Sequence, residues 1–338
     1  MTPTLSWLTA ILGLLSIFLI LLTLRQRLRK ADAQIEKPGK ILRLFVFGCT
    51  ILLVGIIIAA NWLAYNRALA LVRPPHLTSL ESPLNMGIRT YREVFFLTSD
   101  GIRLSGWYIP GLNGSVIILV HGHAGNRSQM LADARLLHEA GFGVLLYDGR
   151  NSGESTGDLT TFGLFEVNDV RGAVDYLLAR PDVDSRRIGL LGHSMGGATV
   201  ILSAAAIPEI SAVISESTYT SLEENIANGV RDYVNLPPFP FAPMIIFWGQ
   251  RESGLDLKQV RPIDAIPQIS PRPVMVVHGL HDEIIPVENA YRLYEAASYP
   301  KQLYILENAG HCCLAQKGGE RYRKTITGFF VNYLLGEP

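Results

Sequence analysis

From about residue 90 onward the chain alternates short apolar runs with longer helix-period patterns, and few folds accommodate that alternation. The runs lie at 94–98, 104–109, 116–120, 143–147, 188–191, 212–215, 274–277 and 303–306. Helical patterns lie between most of them, at 128–140, 162–179, 195–206, 287–297 and roughly 319–335. A strand that is apolar throughout must be covered on both faces. The order therefore predicts an α/β fold with a doubly wound, mostly parallel eight-stranded sheet over about 90–338. The alternation breaks once, between about 218 and 270, where 235–249 reads NLPPFPFAPMIIFWG. An excursion past a strand's C-terminal end reads as a cap or lid over the ligand crevice of such a sheet.

Two uncharged apolar runs precede this region, WLTAILGLLSIFLILLTL at 7–24 and LFVFGCTILLVGIIIAA at 44–60. About 20 such residues cross a hydrocarbon core roughly 30 Å thick, so about 7–24 and 44–63 read as two transmembrane helices. Trp62 and Tyr65 suit the interfacial belt. No Lys or Arg precedes the first run and no A-x-A-like site ends it, which argues against a cleaved signal peptide. Between the runs, Arg25, Arg27, Arg29, Lys30, Lys37, Lys40 and Arg43 outweigh Asp32 and Glu36. The positive-inside rule then assigns that loop to the cytoplasm and both termini to the other side, making a multi-pass membrane protein with its folded domain extracytoplasmic. Residues 1–65 form the anchor on this reading, and 66–89, with Pro74, Pro75 and Pro83, a linker.

Composition excludes two classes. A hydrophobic content of 48% is too high for a disordered chain, and 30 basic residues against 30 acidic ones leave no basic footprint for nucleic acid. Cys49, Cys312 and Cys313 provide no disulfide framework. The adjacent pair can bridge only with strain and reads as two buried small apolar side chains.

The chemistry centres on Gly192-His193-Ser194-Met195-Gly196, which follows the run at 188–191 and opens the small-residue helix GGATVILSAAA. This is G-x-S-x-G in the strand–turn–helix setting it requires, with the serine lifted above the sheet at a helix N-terminus. A serine hydroxyl needs a base. His311 follows the last strand in ENAGH and is the candidate. The imidazole needs an acid to fix its tautomer, and Asp282, in VVHGLHDEIIP, is the best placed; Glu283, Glu307 and Asp264 are alternatives. Oxyanion donors would be the N–H of Met195, next after the nucleophile, and the N–H of His123 in the loop after 116–120.

HGHAGNR (121–127), YDGRNSGES (147–155), GHSMGG (192–197), HGLHDEIIP (278–286) and NAGH (308–311) occur in this order. Together they resemble the α/β-hydrolase superfamily, and more closely its esterase and serine-aminopeptidase-like branch, membrane-anchored members included. The resemblance implies a serine hydrolase, carboxylesterase-like, that cleaves an acyl bond without a cofactor. It also implies that Asp148, Arg150 and Ser152 brace the edge of the active site.

Other readings are weaker. His121-x-His123 lacks the further ligands of an HxHxDH or HExxH site, so no metal is expected. A serine peptidase or aminopeptidase is the enzymatic alternative, with Glu223 or Glu224 placed to bind a free N-terminus, although 66–89 is too short for a propeller. A thioesterase would use the same triad. A membrane-tethered binding module would be expected to have lost the nucleophile, the base or an oxyanion glycine, and none is missing. The expected partners are a small acyl substrate, hydrophobic by the character of 235–248, and the lipid bilayer.

Overall fold

A computed structural model of the chain describes residue 23, residues 39–78 and residues 81–336. The expected span at 7–24 lies outside them, Thr23 apart. Contacts divide the chain into two units, 1–62 and 63–338.

Helix α1 (Gly39–Val72) supplies the described part of the first unit, up to Trp62. Its stretch Leu42–Val72 has a mean hydropathy of 2.5. Among the described residues it is the one helix long and apolar enough to cross a membrane, where two spans were expected. Leu44, Phe45 and Leu52 are each more than 60% exposed, so no protein covers this surface. Two of its polar side chains bond within the helix: Thr50 Oγ1 donates to the Val46 carbonyl (2.7 Å) and Asn61 Nδ2 to the Ile57 carbonyl (3.0 Å). The helix runs on through Ala64, Leu69 and Leu71, strong helix formers, to Val72, past the start of the expected linker.

The second unit is built on eight strands, β1 (Arg92–Leu97), β2 (Arg103–Ile109), β3 (Val116–Val120), β4 (Gly143–Tyr147), β5 (Ile188–His193), β6 (Ile210–Glu216), β7 (Val274–Gly279) and β8 (Lys301–Leu306). They lie in the order β1-β2-β4-β3-β5-β6-β7-β8, and β2 alone runs against its neighbours. Strands β3, β4 and β5 are buried along their whole length, which accounts for their unbroken apolar sequence. Helices α3 (Glu166–Leu178), α4 (Met195–Ala206) and α7 (Glu288–Ala296) bury Val170, Val174, Ile201 and Leu293 against one face. Helices α2 (Leu131–Glu139) and α8 (Leu314–Phe330) bury Leu137, Ile326 and Phe330 against the other. Helix α8 starts before the pattern read at 319, because the chain kinks at Gly319 (φ 51°, ψ −138°) and the first turn lies out of phase with the rest.

The excursion after β6 folds into α5 (Leu222–Val234) and α6 (Pro238–Ser253). Pro238 and Pro240 stand at the start of α6, where an N–H would have no partner; the chain kinks at Phe239 (φ −93°, ψ 131°), and Pro243 lies inside the helix. With Ala64, Ala68 and Val72 of α1, these helices enclose a third apolar cluster that includes Phe162 and Met195. Sheet order reverses between β3 and β5, so the loops after those strands flank the point where doubly wound sheets open a ligand crevice.

Behind that edge, three buried groups meet with no cation paired to them among the described residues: Glu216 at the end of β6, Asp133 of α2 and Tyr322 of α8. The Tyr322 hydroxyl bonds Asp133 Oδ1 (2.7 Å) and Glu216 Oε1. One phenolic proton cannot serve two carboxylates, so a carboxyl proton must complete the cluster. Burial pushes Asp133 up to about 6, and burial together with the nearby Asp133 charge holds Glu216 well above the usual carboxyl value. Folding retains a proton that the unfolded chain releases above about pH 4–5, so this contribution to stability is complete below that pH and is lost as pH rises. Glu216→Gln should therefore flatten the fall in melting temperature between pH 6 and 9; equal slopes for variant and parent would refute the shared proton.

Candidate active site

The connection from β5 to α4 is a single residue, Ser194, with φ 57° and ψ −117°. A side chain rarely tolerates this region, at a cost of about 1–3 kcal/mol. The turn closes because Gly192 and Gly196 bring backbones into contact: a Cβ on Gly192 would overlap the Gly196 carbonyl, and one on Gly196 the Val120 carbonyl. Ser194 N–H donates to the Glu216 carbonyl (2.8 Å). Its hydroxyl makes no capping bond to α4, which leaves Oγ for other partners.

The partner is His311. Its Nε2 stands 3.0 Å from Ser194 Oγ, and its Nδ1 stands 2.9 Å from Asp282 Oδ2. The loops carrying these two residues are knitted through main chain: Leu280 N–H donates to the Leu306 carbonyl (2.9 Å) and His281 N–H to the Ala309 carbonyl (3.0 Å). The Asp282 side chain is fully buried. Oδ1 accepts the N–H groups of Ile284 (2.9 Å) and Ile285 (2.8 Å), while Oδ2 also faces His278 Nε2 at 3.1 Å. Burial alone would raise this carboxyl, yet hydrogen bonds from His278 and His311 hold it below the ordinary carboxylate value. Asp282 is thus a buried anion ready to orient a ring. Asp264, weighed for that place from sequence, pairs with Arg261 instead.

Two histidines beside the site went unassigned in the sequence. His278 reaches Asp282 from four residues upstream in the same HGLHDEIIP motif, and that spacing is the signal that could have found it. His193 lies against His311 with ring centroids 5.0 Å apart. Burial, with His311 adding to it, pushes His193 down to about 3, so it stays neutral and adds no competing charge.

The loop after β3 packs on Ser194; a Cβ on Gly122 would lie 3.3 Å from Ser194 Cβ. Gly122 N–H is taken by Gln129 Oε1 (2.8 Å). The N–H groups of His123 and Met195 make no hydrogen bond among the described residues. Asp148 accepts the N–H groups of Arg127 (2.7 Å) and Glu154 (2.9 Å), and Arg150 bridges Asp169 of α3 and Asp100. Ser152 contributes its carbonyl, which accepts Ser155 N–H (3.0 Å). These bonds stiffen the rim beside the loop.

Two groups depart from expectation or are already occupied. Cys312 and Cys313 are exposed free thiols, not buried side chains, because they form the turn into α8 with Cys313 left-handed (φ 66°). Glu224 pairs with Arg292 (2.7 Å) and Glu223 lies 3.8 Å from Lys258, so both carboxylates have cationic neighbours. Among the described residues, no three His, Cys, Asp or Glu side chains gather as a metal-holding group.

Residues 128–337 match the prolyl oligopeptidase family. Bacillus subtilis YqkD is 33% identical over 235 residues, covering 69% of this chain and 76% of that protein. Escherichia coli (strain K12) YfhR is 30% identical over 250 residues, covering 71% and 81% respectively. The Arabidopsis thaliana alpha/beta hydrolase domain-containing protein WAV2 is 31% identical over 256 residues, covering 72% and 79%. Among solved structures, the Pyrococcus furiosus esterase Pf2001 aligns with a TM-score of 0.66 at 24% identity, covering 78% of this chain and 98% of its own, a likeness of fold. The fold is that of the α/β-hydrolases, and the chain belongs to the prolyl oligopeptidase family of hydrolases.

Proposed function

We propose that the protein is a membrane-anchored serine hydrolase that cleaves a carboxylic ester, or a related acyl bond, through an acyl-enzyme. The observation that carries this reading is the continuous hydrogen-bonded line from Ser194 Oγ through His311 to buried Asp282. Ser194 Oγ attacks the acyl carbon as His311 Nε2 takes its proton. Asp282 holds the Nδ1–H tautomer and stabilises the imidazolium. The N–H groups of His123 and Met195 receive the oxyanion; one such donor is worth about 10²–10³ in kcat. His311 then protonates the leaving alkoxide as the acyl–oxygen bond breaks. A water, deprotonated by His311, releases the acid and restores Ser194. No step calls for a metal or cofactor.

A hydrophobic acyl group suits the exposed Ile284, two residues after Asp282; the segment α6 also exposes Phe239 and Phe247. The exposed apolar surface of α1 supports anchoring. With 7–24 as a second span, the Arg- and Lys-rich segment between the spans supports an extracytoplasmic catalytic domain at 90–338 with a lid at about 218–270, joined to the 1–65 anchor by 66–89. A peptidase is the second reading, favoured by the family match.

Ser194→Ala should lower p-nitrophenyl ester hydrolysis by at least about 10³-fold with an unchanged melting temperature, and undiminished turnover would remove the nucleophile. Asp282→Asn should cost about 10³–10⁴ in kcat, since the amide favours the wrong tautomer; a loss under tenfold would count against it. Parallel ester, thioester and aminoacyl-amide substrates separate esterase from peptidase. A reporter fused after Pro338 should light up outside the cytoplasm, and a cytoplasmic signal would reverse the topology.

A further inference from the structure

The main-chain N–H of His123 serves the oxyanion in the mechanism above, while its side chain points elsewhere. Nε2 lies 2.8 Å from the carbonyl of Leu71, in the final turn of α1. Carbonyls of a helix's last turn have no partner within the helix, so each needs an outside donor. The next one, Val72, accepts the N–H of Thr160 (2.8 Å). The segment that follows stays on the same loops: Asn126 Nδ2 donates to the Leu77 carbonyl (2.8 Å), and His76 Nε2 meets Asn151 Oδ1 (2.7 Å).

Packing reinforces these bonds. Phe162 stacks on the His123 ring, with centroids 4.9 Å apart and planes 11° apart. Ala68 and Val72 are buried in the same cluster as Phe162 and Met195, the residue offering the second oxyanion N–H. Ala124, directly after His123, is left-handed at φ 53°, so this loop holds a strained backbone that external contacts must keep in place. Burial keeps the His123 ring below the usual imidazole value and therefore neutral. Because a carbonyl only accepts, the neutral ring carries its proton on Nε2.

We propose that the His123 side chain is a positioning residue: it latches the oxyanion loop to the end of helix α1, so that the last turn of that helix is a working part of the active site. The latch acts on the transition state through the adjoining N–H, and it rests on the serine-hydrolase reading. It does not touch substrate.

The test uses the full-length chain in detergent. His123→Leu removes the donor but keeps an apolar side chain against Phe162, whereas His123→Gln keeps an N–H that can reach Leu71. His123→Leu should lower kcat for a p-nitrophenyl ester by about 10–100-fold with KM within about twofold. Affinity for a trifluoromethyl ketone, whose adduct places an oxyanion at the same donors, should fall by a similar factor. His123→Gln should recover most of both. Phe162→Leu, which spares the hydrogen bond, should cost less than His123→Leu; if His123→Leu does not fold, His123→Asn, whose amide is too short to reach Leu71, takes its place with the same expected losses. The proposal is overturned if His123→Leu keeps kcat within twofold, if only KM changes, if glutamine gives no rescue, or if Phe162→Leu costs more. Ser194→Ala run in parallel separates the two failures: an active serine variant sinks the hydrolase reading, whereas an inactive one beside a wild-type-like His123→Leu sinks only the latch.

Discussion

The site depends on one unfavourable backbone conformation, that of Ser194, held where an L-residue pays a steric cost. The compensation comes from β5, pinned between β3 and β6, and from α4, whose small residues let the helix sit close to the strands. The sheet therefore has to form before the turn can persist, and the hydroxyl is presented to His311 only in the folded protein. The Ser194 hydroxyl meets His311 without being tied into the cap of α4.

A second dependency runs through Asp282. A buried carboxylate is costly unless its lone pairs are used, and here two N–H groups engage Oδ1 while two imidazoles face Oδ2. His311 is one of four neighbours that keep the anion in place, so the acid does not rely on the base for its charge. His278 Nε2 is shared between the Ile285 carbonyl (2.8 Å) and Asp282 Oδ2 (3.1 Å), which ties the carboxylate to the strand end as well as to His311.

Much of this was legible in the sequence, for physical reasons that differ by element. The strands read clearly because burial on both faces removes the polar alternation that blurs edge strands. Ser194, Asp282 and His311 could be named because each sits at the end of a strand-like run, and the structure brings those three side chains together. Features set by three-dimensional proximity were not legible. The helical stretch to Val72 carries Asn66 and Arg67, which end the apolar run without ending the helix. The bond from His123 to Leu71 spans 52 positions and depends on where a helix terminates, which no local pattern encodes. The exposure of Cys312 and Cys313 follows from a left-handed turn that composition does not announce.

The glycines around the site carry one more consequence. Gly196 meets the Val120 carbonyl and Gly279 the Gly310 carbonyl, so the Ser194 turn abuts the loop after β3, and the loop of Asp282 abuts that of His311, with no side chain as spacer. Geometry set in that way is insulated from drift in the neighbouring side chains. The helices after β6 and the outer surface can change without moving these two seams, whose spacing is dictated by bare peptide units.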